Sequence, residues 1–189
     1  MKNLKLFGLL LFGMITLVSC DDEDDKILLP PVINEEELIT TVVMTLTGGG
    51  QTITFTSRDL DGEGPSAPEV SVSGALVANT TYTGSIAFLN EAETPVEDIT
   101  TEVVTEGKDH QVFYQFPTAL GTLTYTDADV DGRPIGVTFT FASGNVAAGD
   151  MIVTLRHKPS KAAAGVAAGN IENANGSTDA SVIFPIVID

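Results

Sequence analysis

The chain has 189 residues, with 26 Asp and Glu against 9 Lys and Arg, and a formal net charge of −17. Such an acidic chain is repelled by nucleic acid and by anionic lipid, and its length suits one domain with a sizeable core. It has no Trp and only 6% aromatics, which weakens a sugar-stacking role, and its single Cys excludes an intramolecular disulfide.

The chain opens with Lys2 and Lys5 ahead of an apolar run at 6–17. That run is too short for a spanning helix, which needs roughly 20 apolar residues, and it fits the h-region of a signal peptide. It ends in Leu17-Val18-Ser19-Cys20, so 1–19 reads as a lipoprotein signal and Cys20 as the lipidation site. Lipid chains at about 0.8 kcal/mol per buried methylene would hold such a protein on a membrane without crossing it. Asp21, Asp22, Glu23, Asp24 and Asp25 follow, then Pro30-Pro31. Segment 20–37 therefore reads as an acidic, extended linker, and 38–189 as a single folded domain.

From Leu38 onward the text is strand-like. Residues 38–47 are rich in Thr, Val and Ile, and Gly48-Gly49-Gly50 breaks the run. Ile53 and Phe55 alternate with Thr52, Thr54 and Thr56, the period of two of a half-buried strand. The same alternation recurs at Val70 and Val72, and across 82–89. It continues at Val112, Tyr114 and Phe116, and at Leu123 and Tyr125. Ile135, Val137, Phe139 and Phe141 read as one longer strand, followed by Met151, Val153 and Leu155, and finally Val182, Phe184, Ile186 and Ile188. Pro185 lacks an amide donor, so the last strand is expected at an edge or at a bulge. This pattern predicts an all-β fold: an antiparallel, Ig-like β-sandwich.

One segment departs from it. Thr94-Pro95-Val96-Glu97 has the form of a capping box with proline at the first helical position, and Val96, Ile99 and Val103 follow at helical spacing. A helix over 95–106 is predicted, inserted between strands and closing an open side of the sandwich. Segment 159–181, rich in Ala, Gly and Asn, reads as a long loop with room for one helical turn.

The stretch 54–62 recurs at 124–132, with the same Thr, Thr, Asp, Asp and Gly in register. This suggests an internal duplication, two related β units packed face to face. The second copy contains Asp127, Asp129, Asp131 and Gly132, the spacing of the first half of a calcium loop. Arg133 and Thr138 depart from that motif, and the first copy keeps only Asp59 and Asp61 with Ser57. The other reading of both is an acidic hairpin turn. A second candidate site pairs His110 and His157, each at a strand end, with Asp109 or Glu106 as further ligand to zinc or copper. No nucleophile motif and no metalloprotease motif appears, so the chain is not expected to be an enzyme.

The lipobox with its acidic tail, the 55–62 stretch, Thr81-Tyr82-Thr83-Gly84, Glu106-Gly107 with His110, Thr126-Asp127-Ala128-Asp129 and Leu155-Arg156-His157 together resemble a group of outer-membrane and surface lipoproteins of Bacteroidota. Some of these are named after a type 1 periplasmic-binding fold, which this chain argues against: it lacks alternating strands and helices and the length for two α/β lobes. The resemblance implies export to the cell surface, with the periplasmic face as the alternative. It also implies work beside a TonB-dependent outer-membrane receptor, as a binding or accessory module capturing a nutrient or metal ion. The alternative is a structural or adhesion-like lipoprotein with no small ligand.

Overall fold

In the structure, a computed structural model, residues 38–61 and 66–189 are described. The leader, Cys20 and the linker through Glu37 lie outside the described residues, as does Gly62 of the first repeat.

Strands β1 (Thr41–Gly48) and β2 (Gln51–Arg58) form a hairpin closed by Gly49 and Gly50. Both glycines have positive φ, 59° and 78°. A two-residue turn needs this if its twist is to match that of its strands, and glycine adopts it without steric cost. The following elements are β3 (Glu69–Val72), β4 (Thr81–Asn90), β5 (Glu97–Asp98), helix α1 (Thr100–Thr105) and β6 (His110–Gln115). The chain finishes with β7 (Gly121–Tyr125), β8 (Thr138–Ser143), β9 (Ala147–His157) and β10 (Ser177–Ile188).

The strands build two antiparallel sheets. The larger has seven strands in the order β3-β2-β1-β4-β8-β7, with β5 beside β4; the smaller has three, β10-β9-β6. This division differs from the four and three of an immunoglobulin domain. The core lies between the sheets. Met44, Leu46, Phe55, Tyr82, Phe88, Phe139 and Phe141 enter from the larger sheet; Val112, Met151, Val153, Leu155, Phe184 and Ile186 enter from the smaller. Rings meet across the layers, Phe55 to Phe184 at 5.8 Å and Tyr114 to Phe139 at 4.6 Å between centroids. Burying each large apolar side chain contributes about 1.5–3 kcal/mol relative to exposure. The chain is an all-β sandwich, as the alternating pattern predicted, and Pro185 does lie on an edge strand.

Four expectations change. The helix is confined to Thr100–Thr105 and begins after Ile99. Glu97 and Asp98 pair instead with Asn90 and Leu89 as a short strand, so the Thr94 capping box does not form. The start of α1 is fixed by Asp98 Oδ1, which accepts the Thr100 amide at 3.0 Å, while Ile99 and Val103 are buried. Second, Ile135 and Val137 are buried but precede β8. Their carbonyls link the two sheets, accepting Val112 N at 2.7 Å and Ile86 N at 2.9 Å. Third, the two repeat segments, ending β2 and β7, lie in the same sheet and not face to face. Fourth, β10 begins earlier than expected. The loop before it carries two short 3-10 turns, Val166–Ala168 and Ile171–Asn173. Val166 and Ala174 pack on Phe113, which faces away from Val112 and Tyr114 and so forms a second small core outside the β10-β9-β6 sheet.

Candidate metal centre

The histidines are the terminal members of two apolar stripes. His110 precedes Val112 and Tyr114 on β6, and His157 follows Val153 and Leu155 on β9. Alternation turns both imidazoles toward the core side, and the antiparallel register sets His110 directly opposite His157. The rings stack with centroids 5.0 Å apart and planes 11° from parallel. Their exposures are 3% and 7%.

The third member comes from β10. Thr178 pairs with Arg156 and Ala180 with Leu155, so Asp179 is the extra residue of a bulge. A bulge re-aims the side chain it carries. Here the carboxylate turns inward, with 4% of the side chain exposed and Oδ2 3.7 Å from His110 Nε2. That separation is too long for a hydrogen bond. One donor atom from each of His110, His157 and Asp179 lies within 4.8 Å of the others, a cluster of metal-ligating type among the described residues.

The protonation of His110 suits an ion. Its Nδ1 lies 3.3 Å from the Glu106 carbonyl, which can only accept, so a proton on Nδ1 would satisfy that contact. The other ring nitrogen, Nε2, is then the one on the side of Asp179. Burial pushes the His110 pKa down, helped by His157, while the Glu106 carbonyl and Asp179 act the other way without reversing it. A neutral imidazole anchored through its far nitrogen is the usual arrangement of a metal-bound histidine. Two imidazole nitrogens and one carboxylate oxygen match zinc, with copper as the alternative, and leave a coordination position open. Calcium, which takes six to eight oxygens, is poorly served.

The further ligands expected from sequence, Asp109 and Glu106, are not members of the donor cluster found among the described residues. Glu106 serves through its carbonyl, and the Asp109 carbonyl accepts the Lys158 amide at 2.6 Å. Arg156, adjacent to His157, is engaged elsewhere: its guanidinium donates to the Asn175 and Gly176 carbonyls and to Thr178 Oγ1.

The calcium-like loop is differently built. Asp127 accepts the amides of Gly136, Val137 and Thr138 at 2.7, 2.7 and 2.9 Å. Asp129 Oδ1 accepts the amides of Asp131 and Arg133, at 2.9 and 3.0 Å, and Oδ2 accepts from Lys161 Nζ at 3.0 Å. Asp131 pairs with Lys108 at 3.0 Å and Arg133 at 3.4 Å. The three carboxylates turn to three sets of partners instead of converging. The cation in this knot is Lys161 itself, 5% exposed, which also donates to the Gly107 and Pro134 carbonyls. Burial pushes the Lys161 pKa down against the pull of Asp129 and Asp127. At Asp129 burial acts upward, but the Arg133 amide, Lys161 and the Asp131 amide outweigh it and hold the pKa below the ordinary value. In the first repeat the Asp59 amide donates to the Thr40 carbonyl at 2.7 Å, and Asp61 Oδ2 accepts the Ser66 amide at 3.2 Å. Hydrogen bonding by Ser66 holds the Asp61 pKa down.

The histidine pair is readable from the sequence, but Asp179 and Lys161 are not. Both histidines close an apolar alternation, which marks them as core-facing. Asp179 carries no such mark, because period two puts it in phase with Ser181 and exposed Ile183; only the bulge brings it inward.

Comparison with family models, with curated proteins and with solved structures gives no match. Among the described residues no helix is long and apolar enough to cross a membrane.

Proposed function

We propose that this chain is a lipid-anchored binding module of the cell envelope whose working element is a zinc-type metal centre at His110, His157 and Asp179. The lipobox at Cys20 supports the anchor, and the acidic tail behind it supports display at the cell surface. On this reading the sandwich is a rigid frame and the metal centre is its ligand site. The module serves as an accessory to an outer-membrane transporter of the TonB-dependent kind, by capture and not by catalysis. The observation that carries the reading is the convergence of the three donor groups, one atom from each within 4.8 Å of the others, with His110 Nε2 on the side of Asp179. The Asp127–Asp131 carboxylates have a structural role here, since backbone amides take Asp127, Lys161 takes Asp129, and Lys108 and Arg133 take Asp131.

The test is a thermal melt of the full chain in detergent with zinc, copper or calcium added. A ligand bound only by the folded state stabilises by RT ln(1 + [L]/Kd), about 2.7 kcal/mol at a hundredfold excess over Kd. Zinc or copper should raise the melting temperature of the wild type and not that of D179N, and calcium should leave both unchanged. A wild type that responds to neither zinc nor copper contradicts the reading.

A further inference from the structure

His157 and Asp179 stand at the two stems of one excursion of the chain. Strand β9 ends at His157, the chain leaves through 158–176, and β10 resumes at Ser177 with Asp179 in its bulge. The third ligand, His110, opens β6, the strand this excursion lies against. Phe113 of β6 is covered by Val166 and Ala174, and Gln111 Nε2 donates to the Val166 carbonyl at 2.8 Å. Further along, Lys161 plugs the loop into the Asp129 knot. The stems are joined by the Ser160 amide on the Ala174 carbonyl at 2.5 Å, and by Arg156 on the carbonyls of Asn175 and Gly176.

An ion held by all three side chains would tie stem to stem and both stems to β6. We infer that the metal centre is a clasp on the 158–176 loop, the ion binding only while the stems are closed and its loss freeing the loop to lift away from Phe113 as a unit. The inference rests on the metal reading above and adds a consequence to it. The ligands belong to both stems and to β6, so an opening that parts the stems as the loop lifts breaks the ligand set. Opening and metal release are then one equilibrium. A ligand that binds only the closed form lowers the open population by the factor 1 + [L]/Kd. Metal occupancy would thereby set how often the apolar surface around Phe113 is uncovered.

Amide hydrogen exchange of the full chain in detergent tests this, with zinc binding followed in parallel by calorimetry. At free zinc a hundredfold over Kd, amides in 158–178 should exchange about a hundredfold more slowly, while those in β1 and β4 keep their rates. D179N and, independently, H157Q should abolish the zinc-dependent slowing. If zinc binds but exchange in 158–178 is unchanged, or slows to the same extent in every strand, the clasp is overturned and the metal site stands. If no zinc binds, the metal reading fails and takes the clasp with it.

Discussion

Two buried polar clusters lie side by side in this sandwich, and consecutive carbonyls serve them: Glu106 orients His110, and Gly107 receives Lys161. The Asp127–Asp131 turn has the spacing of a cation loop, yet its own chain supplies the cation. The His110–His157–Asp179 cluster has no local spacing at all, since its members come from three strands. Its donor atoms nevertheless face one another. Ligand spacing along a chain gives a metal site only if no internal donor takes up the same lone pairs. Convergence across strands gives one where imidazole nitrogens and a carboxylate from separate strands come within reach of a single ion.

The largest effect is expected at Lys161. K161M would leave the Asp129 carboxylate buried without its ammonium and should cost about 3–5 kcal/mol in chemical denaturation. K161M/D129L should recover a large part of that loss, because removing both partners of a buried pair costs less than removing one. A cost under about 1 kcal/mol for K161M would show the knot to be peripheral.

Next in size is G176A. Gly176 has φ 72°, and an added Cβ would run into the carbonyl oxygen of His157. Strain and displacement of the stem should cost about 1–3 kcal/mol and weaken zinc binding as well. Destabilisation with zinc affinity unchanged would separate the stem from the site.

Acid melts sharpen the other side. Asp129 is held below its ordinary value of 3.8. A carboxylate depressed in this way stabilises the fold above its unfolded pKa, and that contribution is lost as pH falls through the folded value. The melting temperature should therefore drop below pH 3.8, and D129N should flatten that acid limb. The smallest effect belongs to D131N. Its pairs with Lys108 and Arg133 are partly exposed, so the loss should stay under about 1 kcal/mol and shrink with salt.

Much of the sandwich is legible in the sequence because most of its strands bury one face, β6 excepted, where Phe113 is covered on the outer side as well. Ile53 and Phe55, Met151 and Val153, and Phe184 and Ile186 announce their faces by period two alone. The helix is misread because Thr94-Pro95-Val96-Glu97 satisfies a local capping rule, while the ladder between β4 and Glu97-Asp98, a tertiary term, decides the outcome. The histidine pair is half legible: stripe position shows that both rings face inward, but only the β6–β9 register shows that they meet. Asp179 and Lys161 are not legible. One depends on a bulge and the other on a long loop folding back onto Gly107, and neither leaves a periodic trace.

Calorimetric zinc titration of the full chain in detergent, comparing wild type, D179N and D131N, decides whether the ion site is the histidine cluster or the aspartate turn. One zinc ion should bind per wild-type chain, with the same affinity in D131N and an affinity at least about tenfold weaker in D179N. Zinc binding that survives D179N but is lost in D131N would contradict the histidine site.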